Sequence, residues 1–253
     1  MVSRPQGTIM SDTCVLFFVK YPDPGTVKTR LGEVLGHENA AALYRHFVQD
    51  LMLELGRVQA DLRVMHAPGD EATARRFKEW LGPQHRYLPQ VGSDLGARMR
   101  HAFDEVFAAG YERVVLMGSD VPDYPHELVQ KALDDLHQHD VVIGPANDGG
   151  YYLIGFRRDT YRPDVFDGIA WSTPEVFEVT RERLQEARCD TLRLPDWNDV
   201  DTMWDLNVLY RNNRNSSFRL TASYAALREH DELLRRYDID LPRVDRSSRE
   251  AAG

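Results

Sequence analysis

At the centre of the sequence stands the segment that decides the predicted fold, Arg113-Val114-Val115-Leu116-Met117-Gly118-Ser119-Asp120-Val121-Pro122. Four consecutive apolar residues predict a strand buried on both faces, as in a parallel sheet. The strand ends in a glycine, a hydroxyl and a carboxylate, and Pro122 forbids further strand pairing. Ligands of open α/β sheets bind at this carboxyl end. Asp120 is therefore a candidate ligand for a hard divalent cation that holds phosphates; alternatively, it caps the next helix or turn.

The composition limits the classes of function. The chain of 253 residues is long enough for one main domain with an appendage. Its net charge of -9 argues against binding to nucleic acid, which requires a dense basic surface. Cys14 and Cys189 have no metal-like spacing and provide no disulfide framework, so we expect a cytoplasmic protein. No apolar run approaches the roughly 20 residues of a membrane span.

Apolar runs typical of strands alternate with amphipathic segments typical of helices. Strands are predicted at 14–19, 61–67, 85–89, 114–117, 140–145, 151–156 and 191–194, and helices at 37–57, 71–81, 94–109, 126–139, 174–187, 203–210 and 216–237. This alternation predicts a three-layer α/β/α sandwich with a mostly parallel sheet. The strand from Tyr151 follows a turn at 147–150 and is expected to form an antiparallel edge. Ser172 or Thr173 is expected to cap the helix that starts at Pro174.

The segment after the first strand concentrates positive charge. Two prolines and a glycine within residues 20–31 favour a loop over a helix. Lys20, Lys28 and Arg30 lie where a phosphate-binding loop would require them. Neither the Walker spacing nor the dinucleotide fingerprint is present. The alternative interpretation is a solvated basic loop.

A glycine-rich segment opens the helix that follows Gln90. Ser93 or Asp94 can cap this helix, and its N-terminus offers backbone N–H groups to an anion or to the edge of a nucleobase. Arg98, one turn further, either faces a phosphate or lies on the surface.

Three later segments carry further candidates. Asp148 lies in an Asn-Asp-Gly-Gly sequence, where an aspartate often serves only as a turn residue. Trp171 lies in a loop and either lines a pocket or packs in the core. Asp199 and Asp201 share a face if their segment is extended, and Thr202 can cap the next helix. Carboxylates before a helix also act simply as partners of its dipole.

Six blocks of the sequence resemble, in one order, transferases of the GT-A (nucleotide-diphospho-sugar transferase) superfamily. They are Phe18 to Leu31, Gln90 to Met99, Gly118 to Pro122, Asp148 to Gly155, Trp171 to Thr173 and Asp199 to Thr202. The most similar group is that of bacterial candidate glycosyltransferases, and guanylyl- and cytidylyltransferases are more distant. The resemblance implies a Rossmann-like GT-A fold over residues 13–212. The chain would begin with a loose leader at 1–12 and end with a C-terminal helix and frayed tail at 213–253.

The resemblance also implies roles for individual residues. A divalent metal, Mg²⁺ or Mn²⁺, would be held by Asp120 and Asp201, with Asp199 as a further ligand. Lys28 and Arg30 would assist the reaction, and Asp148 is the candidate base. The nucleotide would be bound by Lys20, Pro24, Gly25, Lys28, Arg30, Gln90, Asp94, Arg98, Ser119 and Trp171.

The reaction implied first is glycosyl transfer from a nucleotide-diphospho-sugar to a small-molecule or glycan acceptor. Nucleotidyl transfer with release of pyrophosphate is the alternative. A catalytically silent nucleotide-binding protein is the third possibility.

Overall fold

The structure is a computed structural model that describes residues 11–237 of the chain. Seven strands form one sheet in the order β3-β2-β1-β4-β6-β5-β7. They are β1 (Thr13–Lys20), β2 (Asp61–Ala67), β3 (Arg86–Pro89), β4 (Arg113–Met117), β5 (Val141–Pro145), β6 (Tyr151–Arg157) and β7 (Thr191–Arg193). Every pairing is parallel except the two that β6 makes with β4 and β5.

Helices cover both faces of the sheet. Those within residues 11–237 are α1 (Thr29–Leu35), α2 (His37–Leu55), α3 (Glu71–Leu81), α4 (Leu95–Ala108), α5 (His126–Asp135), α6 (Val176–Glu186), α7 (Met203–Asn212), α8 (Ala222–Glu229) and α9 (Asp231–Arg236). In β1, Val15 and Phe17 belong to the core under α2 and α5, and Leu16 and Phe18 to the core under α4 and α6. Since alternate residues of a strand point to opposite faces, the three-layer prediction is confirmed.

The chain changes direction beside β1. It builds β2 and β3 on one side of β1 and then crosses to the other side to form β4. This change makes the space between the carboxyl ends of β1 and β4 a topological switch point, where open α/β sheets bind ligands.

The prediction of an antiparallel edge strand was wrong in one respect. The strand β6 is antiparallel, but it lies inside the sheet between β4 and β5, and β7 forms that edge. Its buried positions from Tyr152 to Phe156 explain the placement, because apolar residues on both faces of a strand require cover on both sides.

Three predicted boundaries also differ from the structure. The loop expected through Leu31 ends sooner, because α1 begins at Thr29, past the prolines that oppose a helix. The sixth helix begins at Val176, and Ser172 adopts a left-handed φ of 68° in the preceding loop. The long helix expected at 216–237 is divided into a 3₁₀ turn, α8 and α9, because Thr221 caps a new helix through the Tyr224 N–H.

The ends of the chain fall mostly outside the described part. Residues 1–10 of the expected leader and residues 238–253 of the expected tail lie beyond it. Helices α8 and α9 bury Leu227 and Leu234 in the same core as α2. Within residues 11–237, no helix has the length and apolar character to cross a membrane.

Gly155 allows β6 to pack closely between the neighbouring strands β4 and β5. A Cβ atom at this position would lie 2.7 Å from a Val115 methyl group and 2.9 Å from a Val142 methyl group. We expect Gly155→Ala to lower the free energy of unfolding by about 1–3 kcal/mol, because a packed core resists an added methyl group. Gly118→Ala is the control, since its Cβ would have no atom within 4 Å. Equal urea midpoints for the two variants would contradict this account.

Candidate active site

A cleft of about 530 Å³ lies at the carboxyl ends of the central strands. Ten of the predicted site residues line it: Lys20, Lys28, Arg30, Gln90, Ser119, Asp120, Asp148, Trp171, Asp199 and Asp201. In the described part of the chain, four others lie outside its lining, namely Pro24, Gly25, Asp94 and Arg98. The folded chain thus brings residues from all six sequence blocks to one cavity.

Lys28 connects the two sides of the cleft. Its ammonium group donates hydrogen bonds to Asp120 Oδ1 and, over 2.9 Å, to Asp201 Oδ1. The Lys28 side chain is only 3% exposed, whereas those of Asp120 and Asp201 are 52% and 42% exposed. Burial alone would lower the pKa of Lys28, but the two carboxylates raise it above its ordinary value. Lys28 is therefore a permanent cation between two anions.

The backbone places Asp201 beside Asp120. After β7, the chain continues along the strand ends, where Trp197 N–H donates to the Pro145 carbonyl and Val200 N–H donates to the Asp120 carbonyl over 2.9 Å. Thr202 then caps α7, as the sequence predicts, and the structure adds a capping box with Asp205. Asp201 is thus held between a backbone tether and a helix start.

The donor set fits a divalent cation. Carboxylate oxygens from Asp120 and Asp201 already converge on one positive group, and hard cations prefer such oxygen ligands. Asp199 lines the same cleft. Burial raises its pKa to about 7, with contributions from the charges of Asp148 and Asp201. The acidic side of the cleft therefore has an excess of negative charge.

The other predicted site residues have defined surroundings. Asp148 Oδ1 accepts a hydrogen bond from Gly150 N–H over 2.8 Å, which is the turn arrangement considered for it. Trp171 lines the cleft and also packs against Gly96 at the start of α4, so it has both of the positions that the sequence left open. The Gln90 amide donates to the Met65 carbonyl over 2.8 Å.

The N-terminus of α4 is already capped. Asp94 accepts the Ala97 N–H over 2.9 Å, and Arg98 Nε donates to the Gly92 carbonyl over 3.3 Å. The free N–H groups expected here are thus partly occupied by the protein's own carboxylate. Nucleotide binding by Asp94 and Arg98 remains a prediction.

Tyr44 lies in α2, which the sequence predicts only as an amphipathic helix, and its hydroxyl reaches the cleft. Tyr44 shares a 2.6 Å hydrogen bond with Ser119 and accepts the Lys20 N–H over 3.3 Å. Burial, together with the Asp120 carboxylate, raises the pKa of Tyr44 to about 12, so the hydroxyl keeps its proton. Helical periodicity alone could not distinguish this tyrosine from its buried apolar neighbours.

A cluster of ligand-type side chains lies outside the cleft. Among the described residues, only one set of three or more such side chains has all its ligand atoms within 4.8 Å of one another. It consists of Glu54, His126 and Glu127. Glu54 accepts both the backbone N–H and the ring nitrogen of His126, at 3.2 and 2.8 Å. This contact serves the first turn of α5, which has no side-chain cap of its own.

The sheet order, the switch-point cleft and the cation-bridged carboxylates define a protein of the GT-A, or nucleotide-diphospho-sugar transferase, fold. The crystal structure of a candidate nucleotide-diphospho-sugar transferase from Desulfovibrio desulfuricans G20 shares 63% sequence identity and a TM-score of 0.90 with this chain. The match covers 91% of this chain and 100% of that one. The chain therefore belongs to this bacterial family of the GT-A superfamily.

Two other comparisons are less specific. Residues 52–173 match a family model described as an uncharacterized protein conserved in bacteria, DUF2064. A cytidylyltransferase from Leptospira borgpetersenii serovar Hardjo-bovis (strain JB197) shares the fold at 12% identity and a TM-score of 0.53, over 92% of this chain and 99% of that one. A search of curated proteins found no match.

The charge bridge makes stability depend on pH. Burial alone would raise the pKa of Asp201, but the Lys28 ammonium outweighs it and holds the pKa below the ordinary value of 3.8. Because the pKa of Asp201 is lower in the folded state than in the unfolded state, its ionised form stabilises the fold at pH values above the unfolded-state pKa. This stabilisation is lost as the pH falls through the folded-state pKa. We expect Asp201→Asn to cost about 1–2 kcal/mol at pH 7 and progressively less below about pH 4, in urea unfolding with a chelator present.

Asp196→Asn is the matched control for Asp201→Asn. Asp196 forms an exposed ion pair with Arg193, in which both side chains are more than half exposed. Such pairs contribute little to stability, so Asp196→Asn should change the free energy of unfolding by no more than about 0.5 kcal/mol, both at pH 7 and below about pH 4. If the cost of Asp201→Asn does not change with pH, the bridge does not have the assigned electrostatic role.

Proposed function

We propose that this protein is a transferase that takes a glycosyl group from a nucleotide-diphospho-sugar and passes it to a hydroxyl acceptor. The observation that carries the proposal is the pair of convergent carboxylates, Asp120 and Asp201, at the switch point beside basic side chains. The 63% identical relative, described as a candidate nucleotide-diphospho-sugar transferase, supports the same donor class.

In this proposal the basic side of the cleft binds the diphosphate. Within residues 11–237, neither Lys20 nor Arg30 forms an ion pair, although both line the cleft. Both charges act on Asp201 through space without a direct ion pair, and both groups can donate charge-assisted hydrogen bonds to phosphate oxygens. Asp120 and Asp201 would hold a divalent metal, Mg²⁺ or Mn²⁺, which when bound neutralises charge on the diphosphate leaving group.

The acceptor would enter on the side of Trp171 and Tyr151, which line the same cleft. A bond forms between the acceptor oxygen and the anomeric carbon of the sugar, while the bond from that carbon to the diphosphate breaks. The nucleoside diphosphate leaves with the bonding electron pair. Asp148 is the proposed base for the acceptor proton, since one of its oxygens accepts the Gly150 N–H and the other is available.

The reaction can be distinguished from its alternatives with one panel. The full chain is incubated with nucleoside triphosphates and with nucleotide-diphospho-sugars, each with Mg²⁺ or Mn²⁺. Glycosyl transfer releases nucleoside diphosphate from a sugar donor, slowly to water and faster with an acceptor. Pyrophosphate release from a triphosphate would replace the proposal by nucleotidyl transfer. Thermal stabilisation by a nucleotide without turnover would replace it by silent binding.

Asp120→Asn removes a proposed metal ligand while keeping the shape of the side chain. We expect turnover to fall about 100-fold or more, because a bound metal contributes several kcal/mol to a phosphate leaving group. A chelator should abolish turnover of the unaltered protein, and Mn²⁺ should restore it. The control Asp196→Asn removes an exposed carboxylate outside the cleft lining and should retain full turnover. Unchanged turnover in Asp120→Asn would refute the assignment of Asp120.

Asp148→Asn separates the role of a base from that of a turn residue. Asparagine retains the oxygen that accepts the Gly150 N–H but cannot take a proton at neutral pH. We expect kcat to fall about 10²–10⁴-fold with KM and unfolding midpoint unchanged. An Asp148→Asn enzyme with full kcat would show that Asp148 is only a turn residue.

A further inference from the structure

Lys28 places a positive charge where the proposed metal would be held. Its ammonium bonds to one oxygen of Asp120 and one of Asp201, and the side chain is almost fully buried. A metal ion on those oxygens would lie next to this ammonium, and two adjacent cations repel strongly away from bulk water. The bridge and the metal therefore compete for the same oxygens.

The backbone of Lys28 is strained. It precedes α1 with φ 46° and ψ 45°, in the left-handed region that residues with a side chain rarely adopt, and it makes no side-chain capping bond. Such a conformation is unfavourable for a residue with a side chain and is kept only where surrounding contacts compensate. Here the two carboxylates provide those contacts.

Phosphates would offer the ammonium other partners. Arg30 follows Lys28 by two residues, and Lys20 lines the same cleft. Within residues 11–237 neither forms an ion pair, so a diphosphate attracted to them would lie close to Lys28. Charge-assisted bonds to phosphate oxygens are as favourable for an ammonium group as those to carboxylates.

We propose that Lys28 acts as an internal cation that occupies the metal-binding carboxylates in the free protein and exchanges them for phosphate oxygens when a nucleotide diphosphate binds. A divalent ion then takes the vacated oxygens of Asp120 and Asp201. Binding is thus ordered, with nucleotide first and metal second. This inference rests on the proposed function for its diphosphate ligand and its metal.

The test measures Mn²⁺ binding to the full chain by the paramagnetic resonance signal of free Mn²⁺. We expect Lys28→Met to bind Mn²⁺ alone at least 10-fold more tightly than the unaltered protein, and Mn²⁺ to raise its unfolding temperature more. Lys28→Gln provides a second variant if Lys28→Met does not fold. Lys131→Met removes the same charge from an ion pair with Asp135 on α5, outside the cleft lining, and its Mn²⁺ affinity should change less than 3-fold.

The exchange itself is tested with inorganic pyrophosphate as the phosphate probe. Pyrophosphate should tighten Mn²⁺ binding to both proteins, and the factor of tightening should be at least 10 times larger for the unaltered protein than for Lys28→Met. The reason is that Lys28→Met has no ammonium to displace from the carboxylates. Chelation of Mn²⁺ by free pyrophosphate is the same in both samples and cancels from this comparison.

The outcomes separate this inference from the proposed function. Equal Mn²⁺ affinity of the unaltered protein and Lys28→Met, or equal tightening by pyrophosphate, would overturn the exchange while leaving the transferase proposal intact. If no variant binds Mn²⁺ with or without pyrophosphate, both the exchange and the proposed metal site fail. Loss of Mn²⁺ binding in the double variant Lys28→Met/Asp120→Asn would place the ion at the proposed carboxylates. Unchanged Mn²⁺ binding in the double variant would contradict the exchange.

Discussion

The contact on which this site depends is the buried ammonium of Lys28 between the carboxylates of Asp120 and Asp201. The two partners are 92 and 173 residues away along the chain, so the contact joins the loop after β1 to the end of β4 and to the start of α7. Two carboxylates directed at one point would otherwise repel each other. One cation therefore both closes the tertiary structure at the switch point and determines the geometry of the proposed active site.

The sheet order supplies the rest of the site. Because β6 runs antiparallel inside the sheet, the turn before it lies at the same edge as the carboxyl ends of β1 and β4. Asp148 follows the carboxyl end of β5, Tyr151 begins β6 at the same edge, and both line the cleft. In an exclusively parallel sheet, Tyr151 would begin its strand at the opposite edge. Gly155 makes this insertion possible, since only a residue without a Cβ fits between Val115 and Val142.

The sequence was informative wherever local chemistry determines structure. Buried strands appeared as apolar runs, Thr202 as a helix cap, and Asp120 as a strand-end carboxylate in a switch-point fold. It was less informative for contacts between distant segments. Nothing near Lys28 indicates that its partners are carboxylates instead of phosphates, and Tyr44 has the same spacing as its apolar neighbours. Ser172 shows a related limit, because a residue suited to cap a helix instead adopts φ 68° in a loop held by tertiary contacts.

The charges of the cleft connect its acidic side with its basic side. Four carboxylates, Asp120, Asp148, Asp199 and Asp201, face three cations, Lys20, Lys28 and Arg30. Burial is the first cause of the raised pKa of Asp199, about 7, and the neighbouring charges of Asp148 and Asp201 raise it further. A diphosphate that entered alone would add negative charge to a cleft that already has an excess of it. In the proposed function, a divalent cation bound by Asp120 and Asp201 would offset this added charge, so a diphosphate and a metal ion would each strengthen the binding of the other whichever group is transferred.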